Sequence, residues 1–193
     1  YKKRVSYQKE LNDIIDRRTS IKDDPDLEEE RKALKIKEEQ IDILQYTIKI
    51  LLNSVYGNFA NQHSMLFDLD SAGSITLTGQ AAIKEAARIC NDWASAKFEK
   101  ELDIIAYGDT DSIYVTLEET GVVILDDKGL LTPEGVELVG EMDILIRDGI
   151  INWAHSKLLT TDSRYVFKQE TICSAAMFLA KKRYVLLVRY KDG

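Results

Sequence analysis

Apolar positions recur along the chain with two periods, and the changes of period mark out its elements. Residues 2–18 carry Val5, Leu11, Ile14 and Ile15 at helical spacing, and a second helical pattern runs from Leu27 to Tyr56. Gly57 and Asn58 supply the stop expected for that helix. A short connection makes two such helices antiparallel neighbours, so the first quarter of the chain predicts a long helical hairpin. After the loop "NFANQHSMLFDLD" (58–70) a third helix is expected from Ala72 to Lys97. The apolar stretches "LDIIA" (102–106) and "SIYVTL" (112–117) are rich in strand-forming residues and leave Gly108 to Asp111 for a turn. Thr132-Pro133-Glu134 opens a fourth helical pattern that reaches Leu158. Residues 164–190 then alternate as two or three antiparallel strands. The fold class expected is α+β, with helices covering one face of an antiparallel sheet.

Composition sharpens this only in places. No apolar run has membrane length, so no membrane partner is expected. Cys90 and Cys173 sit in apolar surroundings without metal-ligand spacing, which predicts buried free thiols in a reducing cytoplasm. A net charge of −7 opposes a generic nucleic-acid binder. The excess is concentrated, however: "DDPDLEEE" (23–30) holds six acids and no base, leaving −1 for the rest of the chain. Carboxylates suit a helix N-terminus and Pro25 marks its start, so this run reads as a solvated turn and first helical turn. The clusters "KKR" at 2–4 and at 181–183 are then free to act locally. The opening at Tyr1 inside a helical pattern, and the hairpin-turn signal Asp192-Gly193 without a returning strand, lead us to expect an excerpt of a longer protein.

Two stretches carry candidate chemistry. In "YGDTDSIYV" (107–115) Asp109 and Asp111 stand one residue apart between two strands. Aspartate and glycine are ordinary turn residues, which makes a solvated hairpin tip one reading. The other is a metal site, because side chains at i and i+2 of an extended chain point the same way. In "KILLNSVYG" (49–57) Lys49, Asn53 and Tyr56 share one helix face, with Ile48, Leu51, Leu52 and Val55 as an apolar face for packing. Asn53 is a poor helix former far inside a helix, and Gly57 would let a ligand come close.

Lys-x-x-x-Asn-Ser-x-Tyr-Gly followed some fifty residues later by "YGDTDS" (107–112) resembles the family B DNA polymerases, and "KKRY" (181–184) resembles their signature for contacting a primer–template duplex. The stretch "DLDSAGSITLTGQAAI" (68–83) is similar to the T-even-type phage enzymes. The resemblance implies fingers over residues 1–57 and a partial palm over 58–193. It implies a DNA-directed DNA polymerase that joins a deoxynucleoside triphosphate to a primer 3′-hydroxyl with two Mg²⁺ ions. By the same resemblance Asp111 and Asp109 are the catalytic metal ligands, with Asp111 the direct ligand of both ions. Lys49, Arg4, Asn53, Tyr56 and Gly57 line the nucleotide, and Lys181, Lys182, Arg183 and Tyr184 meet the DNA. Glu170, taken as a strand residue, falls where the family has an accessory acid.

A lysine the family places one turn after Arg4 is replaced by Gln8, with Lys9 beside it. The family's upstream palm motif, with a further metal-binding aspartate, is not found in this chain, nor are the exonuclease and thumb. The resemblance therefore implies the remainder of the polymerase as a partner, no activity for the segment by itself, and a place in the cytoplasm of a bacterial or phage-infected cell. A palm-type polymerase of another family and a non-catalytic DNA-binding or assembly piece of a split polymerase are the alternatives.

Overall fold

The computed structural model describes residues 2–161 and 165–191, so the Asp192-Gly193 turn signal lies outside the described residues. The chain divides into two compact units, residues 1–74 and 75–193. It is α+β, built among the described residues from four α-helices and two small antiparallel sheets.

The first unit is the expected helical hairpin. Helix α1 (Lys2–Ser20) and helix α2 (Glu28–Ala60) pack through Leu11, Ile14 and Ile41, with Tyr7, Ile15 and Leu34 around them. Three ion pairs, Arg17–Glu30, Arg18–Glu38 and Lys37–Glu10, run along the same seam with antiparallel spacing. Being partly exposed, each contributes little to stability and chiefly fixes register. The acidic run behaves as a turn and helix start. Asp24 caps a single 3₁₀ turn over Pro25–Leu27 by accepting from the Asp26 N–H at 3.0 Å, and Glu28, Glu29 and Glu30 form the first turn of α2.

Three expectations in this unit need correction. Gly57 does not end α2, which continues through Asn58 to Ala60. A lone glycine costs a helix about 1 kcal/mol, too little to stop one of 33 residues. Asn58 instead donates its side-chain amide to the Ser54 carbonyl one turn back, 2.9 Å away. The residues Leu51, Leu52 and Val55 are exposed within the unit and do not form a packed face, and Val5 is exposed on α1. The third helix, α3 (Leu69–Lys97), starts three residues early because Asp68 caps it, accepting from the Asp70 and Ser71 N–H groups and the Ser71 hydroxyl.

In the second unit β1 (Ile105–Asp109) and β2 (Ser112–Val115) form one hairpin. Helix α4 (Pro133–Lys157) begins where expected, with Thr132 as N-cap accepting from the Gly135 N–H at 2.9 Å. The β1–β2 hairpin lies on a core of Cys90, Ala94, Leu102 and Ile104, against which Trp93, Phe98, Ile113, Val115 and Ile146 pack. A second hairpin pairs β3 (Thr171–Ala180) with β4 (Arg183–Lys191). Among the described residues the C-terminal alternation thus resolves into two strands, which form their own sheet. Burial pushes the Cys90 thiol up to about 12; Cys173, expected to be buried, is only half-buried on β3, and its thiol is raised by the same cause. Among the described residues no helix is long and apolar enough to cross a membrane.

Candidate functional site

Asp109 closes β1 opposite Ser112, so the turn is only Thr110 and Asp111. Two-residue hairpin loops of this kind take positive φ, and Thr110 has φ +35°. That value is costly for a β-branched residue and interrupts the extended chain. Asp109 and Asp111 therefore do not stand at i and i+2 of one extended chain; Asp111 lies in the turn, two residues after Asp109. The Thr110 hydroxyl donates to Asp109 Oδ1 at 2.9 Å, and the Ser112 hydroxyl donates to the Asp109 carbonyl at 3.3 Å. Asp109 is shielded, its side chain 17% exposed, whereas Asp111 is open to solvent.

The other hairpin approaches this tip through its turn. Lys181 and Lys182 form the two-residue turn between Ala180 and Arg183, and Lys182 takes φ +61°. Its backbone N–H donates to the Tyr107 hydroxyl at 3.0 Å, and its Nζ lies 4.0 Å from Asp109 Oδ1. Four aromatic rings hold the two hairpins together. Phe178 stacks on Tyr107 with centroids 4.8 Å apart and meets Tyr114 edge-on at 5.2 Å. Tyr184 lies 5.3 Å from Tyr114 and 6.1 Å from Tyr107. The Phe178–Tyr114 pair places a ring edge against a ring face, where the quadrupoles attract. Burial, reinforced by the hydrogen bond with Tyr184, pushes the Tyr114 phenol up to about 12, so it stays protonated at neutral pH.

Of the residues singled out from sequence, Asp109, Asp111, Lys182 and Tyr184 are therefore brought to one place. Lys181 and Arg183 are exposed beside them. Glu170 is exposed and immediately precedes β3, outside any strand. Lys49, Asn53 and Tyr56 belong to the first unit, exposed on α2, and Gly57 lies inside that helix with open space where a Cβ would sit. Arg4, on α1, has its Nε withdrawn from water without a hydrogen-bond partner among the described residues. Sequence reasoning missed Tyr107, Tyr114 and Phe178 as the ring cluster that joins the motifs. The available signal was an aromatic residue flanking each turn, in "YGDTDSIY" and "FLAKKRY".

Two aspartates are hard oxygen donors of the kind magnesium prefers. Among the described residues no group of three or more His, Cys, Asp or Glu side chains converges. The pair thus fits one side of a divalent-ion site and is too small to enclose an ion.

The comparisons with known proteins bear on the helical hairpin and the carboxylate-tipped hairpin. Residues 3–124 match the family described as DNA polymerase family B, and the chain belongs to that family. The match includes α1, α2 and the β1–β2 hairpin and ends before α4 and the β3–β4 hairpin. Over 76 residues, 39% of this chain and 8% of the relative, it is 41% identical to the DNA-directed DNA polymerase of Enterobacteria phage T4. Over the same length and shares it is 37% identical to that of Escherichia phage RB69. A protein named DNA polymerase beta from African swine fever virus (isolate Pig/Kenya/KEN-50/1950) is 30% identical over 125 residues, 59% of this chain and 10% of the relative. The chain spans about a tenth of the length of the curated relatives it matches. The phage relatives agree with the likeness to T-even-type phage enzymes.

Proposed function

We propose that the chain serves a DNA-directed DNA polymerase as its fingers (residues 1–57) and part of its palm (58–193), acting on primer–template DNA and a deoxynucleoside triphosphate. The observation that carries this reading is the docking of the "KKRY" turn on the "YGDTDS" tip, with Lys182 reaching both Tyr107 and Asp109. It puts a candidate duplex contact beside candidate metal ligands, as primer extension requires.

Asp111 and Asp109 would hold Mg²⁺ from the hairpin side. Two such ions, when bound, lower the charge on the phosphates and favour the primer hydroxyl as nucleophile. The remaining work falls to the chain's own side chains. Thr110 fixes the Asp109 carboxylate. Lys49 and Arg4 offer cations to the triphosphate, Lys49 as a point charge and Arg4 as a fork. Asn53 donates to a phosphate oxygen, while Tyr56 and Gly57 lie against the new base pair. Lys181, Lys182, Arg183 and Tyr184 meet the duplex through phosphates and groove edges, which sets register more than sequence. Glu170, just ahead of β3, would serve as an accessory acid.

Two-ion transfer also needs ligands opposite this hairpin, so the chain acts with the remainder of the polymerase, in the cytoplasm of a bacterial or phage-infected cell, and is inactive alone. Primer extension tests this. The purified chain should give no product. Mixing it with a piece bearing the upstream palm aspartate and with the thumb should give Mg²⁺-dependent product, and Asp111→Asn should abolish that rescue. Robust extension by the chain alone would overturn the ligand assignment.

A further inference from the structure

Asp109 and Lys182 come from different hairpins, yet the shielded carboxylate has the Lys182 ammonium 4.0 Å away. The backbone of Lys182 is pinned by its hydrogen bond to Tyr107, but its side chain is 64% exposed. A four-carbon stem on a fixed turn can therefore swing its ammonium from Asp109 into solvent without moving the hairpin. From this geometry we infer that Lys182 is a shared cation: it neutralises Asp109 when no metal is bound and is handed to a duplex phosphate when metal arrives. The inference rests on the polymerase reading above, and it adds that duplex and divalent metal bind with positive coupling through one side chain.

The physics follows from charge. A divalent cation on Asp109 repels the neighbouring ammonium and releases it. A phosphate that captures the ammonium leaves the Asp109 negative charge without its cation and so a better metal ligand. By linkage the two effects must be equal: the factor by which duplex tightens metal is the factor by which metal tightens duplex. An exposed ion pair of this kind corresponds to a factor of about two to five. Lys181 and Arg183, exposed on the same turn, make no ion pair with Asp109 among the described residues, so they provide duplex attraction without the coupling.

The test uses the polymerase that carries this segment, without nucleotide. Mn²⁺ binding is followed by electron paramagnetic resonance with and without a primer–template duplex, and duplex affinity by fluorescence anisotropy with and without Mn²⁺. Only the Mn²⁺ site that Asp109→Asn removes is counted. In the wild type, duplex should lower the Mn²⁺ Kd about two- to fivefold, and Mn²⁺ should lower the duplex Kd by the same factor. Lys182→Met should tighten Mn²⁺ in the absence of DNA and bring the coupling near unity. Lys182→Arg should keep the coupling, which a merely structural role for the stem would not require. Lys181→Met should weaken duplex binding with the coupling intact. Wild-type Mn²⁺ affinity and coupling in Lys182→Met would overturn the shared-cation role while leaving the metal site standing. No Mn²⁺ site sensitive to Asp109→Asn or Asp111→Asn would refute the site itself, and the coupling with it.

Discussion

Replacing Phe178 with alanine removes the ring at the centre of the junction between the two hairpins. Phe178 stacks on Tyr107 at 4.8 Å, meets Tyr114 at 5.2 Å and lies 5.9 Å from Tyr184. The two nearest ring pairs contribute about 0.5–1.5 kcal/mol each beyond area burial. Removing a half-buried phenyl ring adds about 1 kcal/mol of lost apolar burial. The docking should therefore weaken by about 2–4 kcal/mol. Because an isolated two-stranded hairpin is marginal in water, the undocked β3–β4 hairpin should open locally. Amide hydrogen exchange reads this by residue. The Lys182 amide, which donates to Tyr107, and the β3–β4 amides should lose protection. The Thr116 amide, bonded to the Ile104 carbonyl at 2.8 Å over the core, should keep it. Unchanged protection at Lys182, or an equal loss at Thr116, would refute the claim that this ring cluster holds two separable hairpins together.

Gly57 and Gly135 should respond oppositely to alanine. Gly57 lies in the exposed helix with open space, so Gly57→Ala should raise thermal stability by up to about 1 kcal/mol; a Cβ on Gly135 would clash with the Ile124 carbonyl oxygen, so Gly135→Ala should destabilise by about 1–3 kcal/mol. Hydrogen bonds from Lys97 and Trp93 hold the Glu141 carboxyl below the ordinary glutamate value. Its stabilisation is thus complete above that value and is lost as pH falls through the lowered one; Glu141→Gln should remove this loss from urea unfolding measured across acid pH. In the complete enzyme Lys49→Ala should impair triphosphate use by about 1.5–3 kcal/mol, read as kcat/KM for nucleotide, with an unchanged ratio removing Lys49 from the site.

The carboxylate tip was legible because a turn signal stood between two apolar strand-like runs, and the helix hairpin because its period was long and its turn acidic. What escaped was decided at long range. Periodicity shows that Leu51, Leu52 and Val55 share a face, but not whether anything covers them. Gly57 looked like a stop because local propensity ignores how much helix stands behind it. Nothing local indicates that β3 and β4 form a sheet apart from β1 and β2, or that Tyr107, seventy-five residues from Lys182, accepts its N–H. The left-handed turn residues Thr110 and Lys182 are neither glycine nor asparagine, so composition gave no warning of them.

Mn²⁺ titration of the chain, followed residue by residue through paramagnetic line broadening, tests the central claim most directly. The chain offers two concentrations of carboxylate, the β1–β2 tip and the acidic run at 23–30, and only the tip is read as a metal site. Broadening should appear first at Asp109 and Asp111, weakly, because two ligands cannot enclose an ion, and Asp111→Asn should suppress it. Broadening centred on residues 23–30, with the hairpin tip unaffected, would contradict the account.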